Sequence, residues 1–450
     1  MRRLVVAWLI ATTAWAAAPE KLPGQEVVTR RTTSKDLELP FERFVTGNGL
    51  VVLLSPDATV NQVVVDLTFA AGALYEPDKK NGLAHLAEHA LSAGETPDTD
   101  YRAMLESRGA LEFNGSTTPD SLSYRLIVPP EELPLALWAN ADRLGTLPGL
   151  LTAESVERHR RIVLQERLLR LEDASYGRSE QVLMARLFPG AHPLHQGVLG
   201  TPTSLASITP EDVRAFARRY LVPANAILTI TGNFEPRVAR EWIDKTLGRL
   251  PPGKPADAPI ATPALVSDLK VKIDEHVSRR PRVTMAWPLE LALDEYTESL
   301  ALGAVLLSIY TDGLIGMSVS AEVLEFRDSA VFILSVTMPH AVDMAEAHGN
   351  AEVIYRFLAA APMPVDLVVA TQHAIDRDLM AALTWPARRA SLLTRLERFP
   401  PRTMPGVSPT ERHWKLTPEA IKTRAAIALK GARLVVQARP IRPLPPKVKK

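Results

Sequence analysis

Residues 82 to 89 read Gly82-Leu83-Ala84-His85-Leu86-Ala87-Glu88-His89. On a helix, His85 and His89 lie one turn apart on one face, with Glu88 beside them. Two neutral imidazoles at that spacing can hold one zinc ion. A carboxylate on the same face can take a proton from water at the metal, because zinc lowers the pKa of such a water to about 7. The order His-x-x-Glu-His inverts the commoner His-Glu-x-x-His and requires a third protein ligand from elsewhere. The pattern predicts zinc as cofactor, His85 and His89 as ligands, and Glu88 as the group that activates water.

Such a helix must be entered and backed by other elements. Gly72 and Asn81-Gly82 punctuate the chain before it, after two Val-rich strand patterns at Leu50 to Leu54 and Gln62 to Phe69. Downstream, Tyr124 to Val128 reads as a strand, Leu133 to Leu144 as an amphipathic helix, and residues 153 to 171 as a long charged helix. Thr209-Pro210-Glu211 has the capping residue, proline and acid of a helix start, and leads into the strand Ala226 to Thr231.

Residues 251 to 263 carry Pro251, Pro252, Gly253, Pro255, Pro259 and Pro263, a linker composition. Past them the pattern recurs. Thr417-Pro418-Glu419 opens a helix that leads into the strand Leu434 to Ala438. Arg282 to Trp287, followed by the apolar helix Tyr296 to Leu307, echoes the strand and helix around His85. The expected fold is α+β, with two related domains at 41–250 and 265–445. Each is a mainly antiparallel sheet covered by helices on one face, and the Pro-rich linker at 251–264 joins them.

The chain has 450 residues, more than one ordinary core holds. Its net charge of +1 gives no basic face for nucleic acid. It has no cysteine, which excludes disulfides, thiolate ligands and a cysteine nucleophile. Arg2 and Arg3, the apolar run Leu4 to Ala11, and Ala14-Trp15-Ala16 read as a signal peptide over residues 1–16, with a polar, irregular lead-in at 17–40. No later run reaches the roughly 20 apolar residues of a membrane span. The expected address is periplasmic or secreted.

The stretch Ala70-Ala71-Gly72 to His89, with Tyr75-Glu76-Pro77 and Gly82-Leu83-Ala84-His85, resembles the pitrilysin/insulinase family of zinc peptidases. It looks most like the short members akin to mitochondrial processing peptidase subunits and their bacterial relatives. In that family a later helix supplies a glutamate as third ligand, through a pattern matched here by Glu157-Arg158 to Val163-Leu164-Gln165-Glu166. The resemblance therefore assigns Glu166. Spacing alone leaves Glu154, Glu157 and Glu172 equally open. The resemblance also implies a substrate-binding role for Asn114, in Glu112-Phe113-Asn114-Gly115-Ser116, because an amide can donate to and accept from a peptide backbone. His192 and His195 match the surrounding scaffold and read as structural.

Two departures from the family matter. Seven residues before the third ligand the family places a supporting glutamate, and this chain has His159. Seven residues is nearly two turns, so His159 shares the face of Glu166. It is expected to contact Glu166, to act as a spare ligand, or to be a neutral loss. Second, the family's substrate-holding Arg and Tyr belong in the second half. Where the family has Tyr, this chain offers Gly316 or Met317, and it has no Arg or Lys between Arg282 and Arg327. The resemblance thus implies a metal-carrying peptidase subunit acting on peptides. Its partner would be a paralogous subunit that supplies Arg and Tyr in a heterodimer, or a second copy in a homodimer. The alternative is a structural subunit of the same fold without catalysis.

Overall fold

The computed structural model describes residues 28–33, 38–92, 95–96, 99–257, 259, 261–289, 317–326, 329–339, 342–360, 364–398 and 417–441. The signal-peptide reading of 1–16, the helix expected at Tyr296 to Leu307 and Gly316 lie outside those residues.

Seven strands form the first sheet: β1 (Val28–Thr33), β2 (Glu38–Val45), β3 (Val51–Pro56), β4 (Val63–Phe69), β7 (Glu112–Thr117), β8 (Leu122–Val128) and β9 (Ala226–Gly232). A two-residue ladder, β5 (Glu95–Thr96) with β6 (Thr99–Asp100), stands apart. The order across the sheet is β1-β2-β3-β9-β4-β8-β7, and only β3 and β9 run parallel. The second sheet holds β10 (Leu269–Glu275), β11 (Arg282–Leu289), β12 (Ser318–Glu325), β13 (Ala330–Thr337) and β14 (Leu434–Pro440), in the order β10-β14-β11-β13-β12. Its one parallel pair is β10 with β14.

This is the repeat expected from the sequence, now in topology. β3, β9, β4, β8 and β7 correspond in order and sense to β10, β14, β11, β13 and β12. In each half, a helix capped by Thr with Pro in its first turn delivers the parallel strand. Thr209 accepts from Asp212 N and precedes Pro210–Tyr220. Thr417 accepts from Ala420 N and precedes Pro418–Ala428.

The helices carrying or flanking the site are α1 (Leu83–Ser92), α2 (Tyr101–Ser107), α3 (Leu133–Gly145), α4 (Leu147–Leu150) and α5 (Ala153–Arg167), then α6 (Gly177–Leu187), α7 (Pro202–Ser207) and α8 (Pro210–Tyr220). β4 is buried along its whole length. Val63, Val65, Leu67 and Phe69 enter the main core with α1 and α3. The opposite face, with Val64 and Ile127, meets Ala390 on the helix Pro386–Arg398 from the second half. That contact is partly polar. Arg125 donates to Asp66 at 2.7 Å and to Ser391 at 2.7 Å, and Thr231 Oγ1 donates to Pro386 O at 2.7 Å. Reciprocally, Leu183 and Leu187 of α6 join a core that includes Leu434 and Val436 of the second sheet. Each sheet has helices from its own half on one face, as expected, and each half also lends a helix to the other's sheet.

Two expectations change. Part of the lead-in is strand: residues 28–33 pair antiparallel with 38–43, and Val28, Thr29, Thr32 and Thr33 are β-branched residues that favour it. The charged helix read as 153–171 is α-helical only to Arg167. A π-turn, Leu168–Glu172, follows, closed by Asp173 N on Leu168 O at 2.9 Å.

Candidate metal centre

α1 begins where the backbone requires glycine. Gly82 has φ +90°, a left-handed conformation that side chains resist. Its N–H donates to both oxygens of Glu76, at 3.1 and 3.0 Å, and Ala84 N donates to Glu76 Oε1 at 2.8 Å. The buried Glu76 carboxylate thus caps the open N–H groups at the positive end of the helix. Burial pushes its carboxyl well above the usual range, and the N–H donors of Ala84 and Gly82 pull it back. Glu76 enters the family resemblance without a role, and the missing side-chain acceptor at the start of α1 is the sequence signal for its capping function.

A second glycine ties α1 to α5. Gly200 has φ +60°, and a Cβ there would stand 2.3 Å from Asn81 O. Its carbonyl accepts from Arg167 Nε at 3.1 Å. The turn entering α1 and the last residue of α5 therefore share one small residue, and that sets the separation of the two helices.

Across this joint the donor atoms converge. His85 Nε2 and His89 Nε2 are 3.2 Å apart, and Glu166 Oε2 lies 3.1 Å from His89 Nε2 and 3.3 Å from His85 Nε2. A tetrahedral zinc ion with bonds of about 2.0–2.1 Å needs its donors about 3.3 Å apart. The three separations thus come close to the edges of that tetrahedron, and two imidazole nitrogens with one carboxylate oxygen are a zinc donor set. The residues fit the ion. The hydrogen bonds from His85 and His89 hold the Glu166 carboxyl far below the usual range, against its partial burial. Burial lowers the proton affinity of His89, but the Glu166 hydrogen bond and the charges of Glu88 and Glu166 outweigh it and raise its pKa.

Glu88 sits behind the donors, 6% exposed. A ligand-capable atom from each of His85, Glu88 and His89 lies within 4.8 Å of the other two. Thr117 Oγ1 donates to Glu88 Oε2 at 3.0 Å. Gly115 packs so close that a Cβ would stand 2.3 Å from Glu88 Oε1. Burial raises the Glu88 pKa, against the pull of His85, His89 and Thr117. Neither Gly115 nor Thr117 carries a role in the sequence reading, where only Asn114 of that stretch does.

The remaining site candidates sit differently. Asn114 lies in β7, the free edge of the first sheet, and is exposed. Its cross-strand partner is Arg125, whose side chain points toward Asp66 and Ser391. Because strand residues alternate, Gly115 and Thr117 face Glu88 and Asn114 faces the other way. His159 is buried on the inner face of α5 with Val156 and Val163. Its Nδ1 has no hydrogen-bond partner among the described residues. Burial first, then the nearby Arg158 and His89, push its pKa down to about 4, so it is neutral at pH 7. His192 and His195 serve the local scaffold: His192 Nδ1 accepts from Leu194 N at 3.1 Å, and His195 Nδ1 lies 3.0 Å from Phe188 O.

Residues 51–190 match the family described as Insulinase (Peptidase family M16), and residues 207–359 match the one described as Peptidase M16 inactive domain. Together the two matches cover more than half of the chain. The chain belongs to the insulinase family, M16. Among curated members it is 26% identical over 230 residues to a probable zinc protease of Escherichia coli, PqqL, covering 48% of this chain and 24% of that protein. It is 24% identical over 223 residues to a probable mitochondrial-processing peptidase subunit beta of Arabidopsis thaliana, covering 48% of this chain and 40% of that one. The matched segment thus spans less than half of either relative. The M16 fold extends further than these identities. A protease from Helicobacter pylori superposes with TM-score 0.79 at 18% identity, covering 89% of this chain and 99% of that one. The periplasmic protease PqqL superposes with TM-score 0.74 at 17% identity, covering 93% of this chain and 50% of that one.

Proposed function

We propose that the chain is the metal-carrying subunit of a zinc peptidase, with His85, His89 and Glu166 as ligands and Glu88 as general base. The observation that carries this reading is the triangle of donor atoms with sides of 3.1, 3.2 and 3.3 Å. The zinc proteases among its relatives support it.

When bound, zinc supplies Lewis-acid chemistry: it polarises a carbonyl and makes water acidic near neutrality. The rest falls to the chain. Thr117 engages Oε2 of Glu88 and orients the carboxylate, which leaves Oε1 to take the proton of the attacking water. A raised carboxyl pKa suits this task and the later delivery of the proton to the leaving amine. Among the described residues β7 is an edge strand beside Glu88, where an extended peptide can add to the sheet. The substrate class is accordingly oligopeptides or unfolded segments. Asn114 contributes through its place on that edge.

Among the described residues the second half has no metal-ligand group, and Met317, which with Gly316 stands where the resemblance places the family's Tyr, is buried. Those functions fall to a partner subunit, by analogy with a relative named as a subunit. The signal-like N-terminus, and likeness to a protease described as periplasmic, support an exported protein. No helix of the described residues is long and apolar enough to cross a membrane.

The match of residues 207–359 to an inactive domain leaves open a second reading, a structural subunit without catalysis. Glu88→Gln separates the two. On the peptidase reading, the variant keeps its zinc and loses cleavage in the presence of the partner. Parent protein that neither holds zinc nor cleaves any peptide would leave the structural reading.

A further inference from the structure

The two oxygens of Glu166 have different surroundings. Oε2 faces both imidazoles, whereas Oε1 forms an ion pair with Arg170 Nη2 at 2.7 Å. A carboxylate can ligate a metal through one oxygen or both. A catalytic zinc needs three protein donors and an open position, so a second bound oxygen crowds the place where water must sit. Outer partners of ligating carboxylates are known to fix ligand orientation.

Arg170 is held to this task by its backbone. It lies in the π-turn Leu168–Glu172 that directly follows α5, and such turns cluster at functional sites. The turn is braced by Arg167 Nη1 on Glu172 at 2.7 Å. Gly177 packs against it so tightly that a Cβ there would stand 2.6 Å from Arg170 O. Yet the Arg170 side chain is 66% exposed, so as an ordinary surface ion pair it contributes little to stability. His159, the other candidate for supporting Glu166, has no hydrogen-bond partner for its Nδ1 among the described residues.

We propose that Arg170 is a positioning residue that occupies Glu166 Oε1, keeps Glu166 a single-oxygen ligand, and so leaves a coordination position open for water and substrate. This rests on the metal-centre reading above.

The test uses the full chain loaded with cobalt(II), whose visible bands are intense in four-coordinate and weak in higher-coordinate sites. The parent is compared with Arg170→Met, which removes the donor, and Arg170→Lys, which keeps one. The parent should show intense bands. Arg170→Met should lose that intensity, and with the partner present its kcat should fall while KM holds. Arg170→Lys should restore both. A spectrum of Arg170→Met superposable on the parent overturns the proposal, as does a loss that Arg170→Lys does not restore. A parent that takes up no cobalt overturns the metal centre itself, and this role with it.

Discussion

Gly115 lies against the carboxylate of Glu88, so close that a methyl group on it would stand 2.3 Å from Oε1. The edge strand and the metal helix therefore meet through a residue that can carry no side chain. Gly115→Ala should push Glu88 aside while His85, His89 and Glu166 stay in place. We expect kcat/KM to fall about 10²-fold, the scale of a misplacement near 1 Å. Zinc content should not change. Asn114→Ala, on the opposite face of the same strand, should cost far less. Equal losses in the two variants would refute this assignment of faces.

Gly200 joins the turn before α1 to the end of α5, through Asn81 O on one side and Arg167 Nε on the other. Gly200→Ala places a Cβ in a left-handed residue and against a carbonyl. The conformation alone costs about 1–2 kcal/mol. Because this joint sets the distance between the histidines and Glu166, zinc affinity measured by chelator competition should drop along with the melting temperature. A variant that melts lower but binds zinc as tightly would show that the joint supports the fold and not the site.

His159 is neutral in the folded chain because burial and its charged neighbours hold its pKa at about 4, below the 6.5 of a free imidazole. Above pH 6.5 both folded and unfolded states are neutral there, and the group has no effect. Below it the unfolded chain takes up a proton that the folded chain refuses, so stability is lost as pH falls from 6.5 toward about 4. In chelator-treated protein the melting temperature of His159→Gln should therefore fall less steeply over that range than the parent's. Parallel curves would place His159 in a wetter or paired environment.

Much of this was legible in the sequence, for physical reasons. His85, Glu88 and His89 sit within one helix turn, so periodicity alone brings them together. The Thr-Pro starts before β9 and β14 are local capping signals, and they expose the repeat that topology repeats strand for strand. What spacing left open was the third ligand. Glu166 is 77 residues from His89, and beyond the family resemblance it is the packing of α1 on α5 that sets it apart from Glu154, Glu157 or Glu172. The roles of Gly115, Thr117 and Gly200 were unreadable for the same reason, since each matters through a contact with a distant segment. The exchange of α6 and the helix Pro386–Arg398 between halves is also a long-range fact. Its trace in the sequence was β4, apolar at every position except Asp66 and Thr68, which a sheet with one open face does not require.

The central claim is that a distant acid completes the site begun by the two imidazoles. Zinc bound per chain, measured by elemental analysis after dialysis against a weak chelator, tests it most directly in the parent and in Glu166→Gln. One ion per chain in the parent and loss of most of it in the variant is the predicted result. Full occupancy in Glu166→Gln, or none in the parent, would contradict it.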